Sequence, residues 1–194
     1  MTLTDSKGNE YVKNIYDADD RVVSQKYGDG TLTYAYETDS NNPKHITKTT
    51  AINKRGMKSE FVYDENGNTL SKTLFNGDVP VTTTYTYADN GKIATETKPL
   101  GNGVSYQYDA QNRITEKREK ADMTQANNDA NDIVTKYEFG TTFPIPTKII
   151  DPNGTVITTV LDAKGNITET KILGVKKADG TTYDVTNTFA YDTN

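Results

Sequence analysis

A short motif that recurs along the whole chain constrains its fold more than any other feature. Its clearest copy is VSYQYDAQNRITEK, residues 104–117. Tyr106 and Tyr108 lie two positions apart with a polar residue between them, which is the period of a β-strand with one apolar face. Residues 109–112 then interrupt the alternation with side chains that favour turns and left-handed backbone. The motif therefore predicts a β-hairpin, in which a strand ends in Tyr-Asp and a tight turn leads to a second strand.

Each copy of this motif places one anchor residue, a tyrosine or a leucine, directly before its turn. The anchors are Tyr16, Tyr36, Tyr63, Tyr87, Tyr108, Tyr137, Leu161 and Tyr191. Their spacing is irregular and averages about 25 residues, a period typical of stacked supersecondary units. We therefore expect residues 1–194 to form about eight irregular repeats. The copies that begin at Tyr36 and Tyr137 carry a longer loop before their second strand.

A second aromatic residue often precedes the anchor by two positions, on the same predicted strand face. These residues are Tyr34, Phe61, Tyr85, Tyr106 and Phe189. If equivalent rings stack between neighbouring repeats, each could bury roughly 150–250 Å². We interpret the rings mainly as packing, because their positions follow the strand period. Tyr34, Tyr85 and Tyr106 are nevertheless the candidates for aromatic side chains that face a ligand.

One segment, at about residues 118–132, departs from the strand pattern. Asn127, Asn128, Asp129, Asn131 and Asp132 oppose a stable helix near its end, although one helical turn at about residues 121–126 stays open. We predict a solvated polar loop inserted in a hairpin. Loops on a rigid scaffold are frequent places for binding.

The composition favours a thin β structure. Only 33% of the residues are hydrophobic, yet the chain contains 13 tyrosines. A disordered chain of similar polarity would be poor in aromatic and β-branched residues. The sequence therefore predicts an all-β fold, with tandem hairpins in an elongated twisted sheet or an open β-solenoid.

No pattern of residues predicts catalysis, a cofactor or a metal site. His45 is the single histidine, and there is no cysteine. The Asp-rich turns lack the glycine and glutamate spacing of an EF-hand loop. The net charge of −5 and the absence of a basic stripe disfavour nucleic acid as a partner. No apolar run is long enough for a membrane span.

The recurring pattern Tyr-Asp-x-x-Gly-(Arg/Asn/Lys)-(Ile/Val)-Thr resembles the YD repeat of the RHS/YD-repeat family. That family includes large bacterial surface and secreted proteins, the shell-forming parts of insecticidal toxin complexes and the animal teneurins. The resemblance implies a spiralling β-sheet, which in long members closes into a hollow shell around a toxic C-terminal segment. It implies that this chain is a segment of a shell wall.

We therefore expect a non-catalytic structural scaffold of a secreted or surface-exposed bacterial YD-repeat protein, which supports or encloses a toxin or adhesive module. We also expect the chain to be excised from a longer one whose signal sequence lies elsewhere. The expected partners are other repeats of the parent chain and copies that pair edge to edge. The alternative is an adhesin-type segment that binds a cell-surface glycan or protein through its exposed Tyr, Asn and Asp side chains.

Overall fold

Antiparallel β-strands joined by turns make up the protein. The computed structural model describes residues 1–127 and 130–192, and no helix occurs in these ranges. The strands are β1 (Thr2–Thr4), β2 (Glu10–Tyr16), β3 (Val22–Tyr27), β4 (Gly30–Thr38), β5 (Ile46–Ile52), β6 (Lys58–Tyr63), β7 (Thr69–Asn76), β8 (Val79–Tyr87), β9 (Ile93–Thr97), β10 (Gly103–Tyr108), β11 (Ile114–Lys120), β12 (Ile133–Phe139), β13 (Pro146–Ile150), β14 (Val156–Leu161), β15 (Ile167–Lys176) and β16 (Thr182–Thr188). The predicted all-β fold of tandem hairpins is confirmed.

The chain divides into two compact units. Unit 1 comprises residues 1–86 and 97–100, and unit 2 comprises residues 87–96 and 101–194. Within each unit the strands follow the order of the chain, so every strand pairs with its sequence neighbours. This order places all Tyr-Asp turns of a unit at one rim of its sheet and the alternate turns at the other.

The sheet of unit 1 has two chemically different faces. One face carries the rings: Tyr36 lies opposite Thr49, and Thr49 lies opposite Phe61. The other face carries charges, and Lys48 Nζ lies 3.3 Å from Glu37 and 3.4 Å from Glu60. Because successive side chains of a strand alternate between faces, the Tyr-x-Tyr spacing in the sequence creates the aromatic face directly.

Unit 2 repeats this separation with an aliphatic extension of its ring-bearing face. The residues that lie opposite one another across β12 to β16 on this face are Tyr137, Ile149, Ile157, Ile172 and Val185. The opposite face carries Arg118, whose guanidinium lies 2.8 Å from Glu116 and 2.9 Å from Asp132.

Neither unit has a conventional hydrophobic core. In residues 1–127 and 130–192 no hydrophobic side chain is buried, and the two buried residues are Gly103 and Lys120, of which Lys120 is 4% exposed. The rings and aliphatic side chains are instead half-buried against neighbours on the same face. Stability must therefore come from backbone hydrogen bonds, turns and cross-strand side-chain pairs.

The predicted solvated loop at about residues 118–132 is wrong at its boundaries. β11 continues through Lys120, because Lys120 pairs with Gly103 of β10, and the side chain of Asp132 is only 3% exposed. Lys120 Nζ donates to the backbone oxygen of Gln125, and to Asn127 Oδ1 at 3.1 Å. Residues 121–127 form bends and turns and contain no helical turn. Asn128 and Asp129 lie outside the described residues.

Candidate functional site

One turn of defined geometry recurs along the chain, and it is clearest at residues 64–68, directly after the anchor Tyr63. The N–H of Asp64 donates to the oxygen of Asn68 at 2.9 Å, and the N–H of Gly67 donates to the oxygen of Asp64 at 3.0 Å. Gly67 has φ of +80°, and the strand register shifts between Val62 and Tyr63. This arrangement is a type I turn closed by a bulge at a left-handed residue.

The same pair of backbone hydrogen bonds recurs in nine turns of the described ranges. Their first residues are Asp5, Asp17, Asn53, Asp64, Ala88, Asp109, Asp151, Asp162 and Lys177. Seven of these turns have glycine at the left-handed fourth position, whereas Asp20 and Asn112 adopt φ of 60° and 62° there. Asp and Asn tolerate this conformation better than other non-glycine residues.

The aspartate of the motif holds its turn together. Asp64 Oδ1 accepts hydrogen bonds from the N–H groups of Asn66 and Asn68, at 2.9 and 2.8 Å. Asp64 Oδ2 accepts from the side-chain amide of Asn68 at 2.9 Å. The Asn68 amide is the main reason that the pKa of Asp64 lies below its ordinary value. The Asp, Gly and Asn positions of the motif are thus explained by turn geometry.

The anchor tyrosine joins one repeat to the one before it. In three repeats its hydroxyl donates to the backbone oxygen of the residue directly after the preceding turn. These inter-repeat hydrogen bonds join Tyr36 to Val22 at 2.7 Å, Tyr108 to Ile93 at 2.8 Å and Tyr191 to Ile167 at 2.9 Å. Burial is the main cause that raises the pKa of Tyr36 and of Tyr108.

The other predicted residues differ in exposure. Among the anchors, Tyr16 and Tyr191 are exposed, and the half-buried ones are Tyr36, Tyr63, Tyr87, Tyr108, Tyr137 and Leu161. Tyr34, Tyr85 and Tyr106 are also half-buried, each on the same strand face as the anchor that follows it. Whether these three rings contact a ligand stays a prediction.

Tyr106 lines a groove in unit 2 that is the candidate binding site. The groove has a volume of about 770 Å³ and is lined by Tyr87, Gly91, Lys92, Ile93, Tyr106, Tyr108, Asn112, Arg113, Ile114, Lys117, Tyr137, Phe139, Pro144 and Pro146. Its volume is that of a ligand pocket, and aromatic walls with a few polar groups are typical of such pockets. We call it the aromatic groove.

Arg113 fixes one wall of the aromatic groove. Its Nε donates to Asp109 Oδ2 at 2.7 Å, and its Nη1 donates to the backbone oxygen of Gly140 at 2.8 Å. Its Cζ lies 4.4 Å from the centroid of the Phe139 ring. Although burial raises the pKa of Asp109, the hydrogen bonds from Arg113 outweigh it and lower that pKa. Sequence reasoning missed this role, because the contact partners of Arg113 lie beyond the insertion.

Candidate residues for metal chemistry do not come together in the structure. No group of three His, Asp or Glu side chains that could hold a metal ion occurs among the described residues. His45 Nε2 lies 2.6 Å from the backbone oxygen of Asp64 and thus connects two neighbouring turns. No helix in the described part of the chain is long and apolar enough to cross a membrane.

Two solved structures are similar to this chain. One is a chain of the Photorhabdus luminescens Tc holotoxin pore, with a TM-score of 0.50 and 16% identity; the match covers 99% of this chain and 11% of that one. Another is a chain of TcdB2-TccC3 without its hypervariable C-terminal region, with a TM-score of 0.41 and 14% identity; that match covers 96% of this chain and 13% of that one. The chain thus spans 11–13% of the length of these solved chains. The likeness to the holotoxin pore shows a shared fold.

A family model provides independent evidence. No curated protein matches the chain. The model of the RHS repeat matches residues 89–121, a segment that contains the turn at Asp109 and the hydrogen bond from Tyr108 to Ile93. Residues 89–121 therefore match the RHS repeat, and the resemblance of this chain to the RHS/YD-repeat family is confirmed.

Proposed function

We propose that this chain is a non-catalytic scaffold segment of a secreted or surface-exposed bacterial YD-repeat protein, in which it supports or encloses a toxin or adhesive module. The observation that carries the proposal is the inter-repeat hydrogen bond from an anchor tyrosine to the preceding repeat. The residues that define the motif are used to join repeats, as a wall of stacked hairpins requires. The partners in this proposal are other repeats of a parent chain and copies paired edge to edge.

The comparisons support this role at the level of fold and repeat. The RHS repeat at residues 89–121 and the fold shared with a chain of a Tc holotoxin pore both point to a toxin-associated repeat protein. A repeat scaffold has no requirement for a fixed constellation of catalytic groups. The free energy of unfolding of such a scaffold is approximately the sum of the intrinsic stability of each repeat and the interaction energies between neighbouring repeats.

Duplication of one repeat tests the scaffold role. Residues 16–35 run from one anchor to the residue before the next, and they contain β3, the first six residues of β4 and two turns of unit 1. A second copy inserted after residue 35 preserves strand direction and places a second anchor where Tyr36 stood. We expect the lengthened protein to fold and to unfold with a urea m-value about a tenth larger, because m scales with the surface exposed on unfolding.

The matched control for this duplication inserts the same residues in scrambled order, so that length and composition are equal. A scaffold of interchangeable repeats predicts a folded duplicate and a destabilised control. Equal loss of structure in the two insertions would contradict the proposal, because the sheet would then depend on one fixed arrangement of its strands.

The second candidate function is binding in the manner of an adhesin, and the aromatic groove is the observation that favours it. Tyr106 is a half-buried ring in the groove, whereas Tyr183 is 44% exposed on β16 and does not line it. Binding to a cell-surface glycan or protein array that Tyr106→Ala abolishes and Tyr183→Ala retains would support this function. If the well-folded protein binds nothing on the array, the binding function is wrong and the scaffold role is the one that remains.

A further inference from the structure

The aromatic groove is a formed site, because hydrogen bonds join its walls at two places. Arg113 joins its turn to the loop after β12 through the backbone oxygens of Gly140 and Phe143, at 2.8 and 3.3 Å. The hydroxyl of Tyr108 is bound to the oxygen of Ile93. These contacts fix the walls before any ligand arrives, so little ordering would oppose binding.

The groove combines aromatic rings with positive charge. Its described lining includes Lys92, Arg113 and Lys117 and contains neither Asp nor Glu, although the whole chain has a net charge of −5. The guanidinium of Arg113 already donates hydrogen bonds to Asp109 and to the loop after β12. Lys92 is exposed and forms no ion pair with the described residues, and Lys117 Nζ contacts the carboxylate of Glu119, which lies outside the lining, at 2.7 Å. Lys92 is thus the cation of this lining without a carboxylate partner among the described residues, and the Lys117 ammonium has further donors besides the one that contacts Glu119. The lining is therefore opposite in charge to the chain.

The polar groups of the groove suit carboxylates better than sugar hydroxyls. Lysine donates hydrogen bonds and accepts none, so Lys92 and Lys117 match an anionic acceptor. Asn112 is the one amide side chain of the described lining, and the hydroxyl of Tyr108 is already used. The tyrosine hydroxyls of the lining can both donate and accept, so they suit sugars and carboxylates alike. The preference for a carboxylate therefore comes from the lysines.

The span of the groove suits an extended chain. Apart from Tyr87 at the end of β8, its lining runs from the turn before β9 to Pro146 on β13. Four inter-strand spacings are roughly 19 Å, which an extended peptide covers with about six residues. Aromatic or aliphatic side chains of such a peptide would pack on the rings while its carboxylates meet the lysines.

We propose that the aromatic groove binds an extended acidic peptide segment that also carries aromatic or aliphatic side chains. This proposal rests on the binding function proposed for the groove and names the class of its ligand. It is independent of the scaffold role, which is tested by unfolding and not by binding.

A labelled random copolymer of glutamate and tyrosine is a direct probe, and a copolymer of lysine and tyrosine is its matched control. Fluorescence anisotropy with the whole protein should detect binding of the acidic copolymer alone. The affinity should fall as salt is added, because the contact is partly between exposed charges. The double variant Lys92→Glu/Lys117→Glu should lose at least about tenfold in affinity.

The charge-matched control is Lys7→Glu/Lys26→Glu, which changes the net charge equally at two exposed positions outside the groove. This control should bind like the unaltered protein. Circular dichroism checks that both double variants fold, and Lys92→Ala/Lys117→Ala serves if the glutamate variant does not. Three results would overturn the proposal: no binding of the acidic copolymer, equal loss in the two double variants, or tighter binding of the acidic sugar polymer polygalacturonate.

Discussion

At the scale of single residues, Tyr108 combines two kinds of interaction that are usually supplied by different side chains. Its ring packs in the aromatic groove, and its hydroxyl donates to the backbone oxygen of Ile93 at 2.8 Å. Because none of the described hydrophobic side chains is buried, a directed hydrogen bond between repeats fixes their register as well as adding stability. We therefore expect the hydroxyl to matter separately from the ring.

The substitution Tyr108→Phe tests the hydroxyl by itself. It removes the donor, keeps the ring and leaves the oxygen of Ile93 without this partner, so we expect a loss of about 0.5–1.5 kcal/mol in the free energy of unfolding. Tyr108→Ala should lower the free energy of unfolding further, because the ring is lost too. Urea unfolding measures both effects.

Tyr27→Phe is the matched control, since Tyr27 is 63% exposed on β3. Its free energy of unfolding should stay within about 0.5 kcal/mol of the unaltered protein. If Tyr108→Phe had no larger effect than this control, the inter-repeat hydrogen bond would not contribute to stability.

The turn aspartates predict how stability depends on pH. Hydrogen bonds from Asn side chains are the main cause that lowers the pKa of Asp5, Asp64 and Asp162 in the folded protein. A carboxyl whose folded pKa is lowered contributes stability above its unfolded pKa of about 4, and this contribution is lost as pH falls through the folded pKa. The urea concentration at the midpoint of unfolding should therefore stay constant near neutral pH and decrease steadily below about pH 4.

The substitution Asp64→Asn isolates one of these carboxyls. It should lower stability at pH 7, because the charged acceptor of the turn is lost, and it should reduce the further decrease between pH 5 and 2. Asp78→Asn, at an exposed position in another turn, should keep the decrease of the unaltered protein. A steeper acid decrease in Asp64→Asn than in the unaltered protein would contradict this account.

At the scale of elements, the turns depend on left-handed backbone at one position. A Cβ at Gly67 would meet no atom within 4 Å, so Gly67→Ala has only the conformational cost of φ at +80°, about 1–2 kcal/mol. Gly165→Ala should cost more, because its Cβ would also lie 2.8 Å from the ring of Phe143. Thermal unfolding of the two variants should rank them in this order.

Gly140→Ala is the control for these two variants. The nearest atom to its Cβ would be Thr147 Cγ2 at 3.7 Å, and its backbone is not left-handed. We expect little change in its melting temperature. An equal effect of all three substitutions would mean that left-handed backbone is not what these turns require.

The elements also differ in how well the sequence predicts them. The hairpins were predictable, because period-two alternation and Asp-x-x-Gly turns are local signals, and the aromatic face follows from Tyr106 and Tyr108 on one strand. The carbonyl partner of each anchor was not predictable, since it depends on which strands lie side by side. The aromatic groove was missed for the same reason: its Arg113 contacts residues 27 and 30 positions away.

The boundaries of the loop at about residues 118–132 were predicted wrongly, because they depend on contacts between strands and not on the local sequence. Residues 118–120 are charged and lack an apolar period, so the sequence favoured a loop. Pairing of β10 with β11 overrides this preference, and the ion pair between Arg118 and Asp132 buries both side chains on one face of unit 2. The polar composition of the segment suggested exposure to solvent, whereas its buried contacts form only when the neighbouring strands pair.

At the scale of the whole molecule, stability is distributed over many small and similar contributions. Each repeat adds a capped turn, backbone ladders and half-buried rings, and no described hydrophobic side chain is fully buried. The scaffold role follows from this distribution, because repeats of this kind are joined in series and need no common core. Its physical signature is a small exposure of apolar surface on unfolding.

The heat-capacity change of unfolding, measured by calorimetry, tests this central claim most directly. A globular protein of 194 residues would give roughly 2.3–2.9 kcal/mol/K, because exposure of a buried apolar core dominates the change. The structure predicts a value clearly below this range, with a reversible transition at neutral pH. A value within or above the range would mean that unfolding exposes a hydrophobic core, and the account of a coreless sheet held by turns and inter-repeat hydrogen bonds would be wrong.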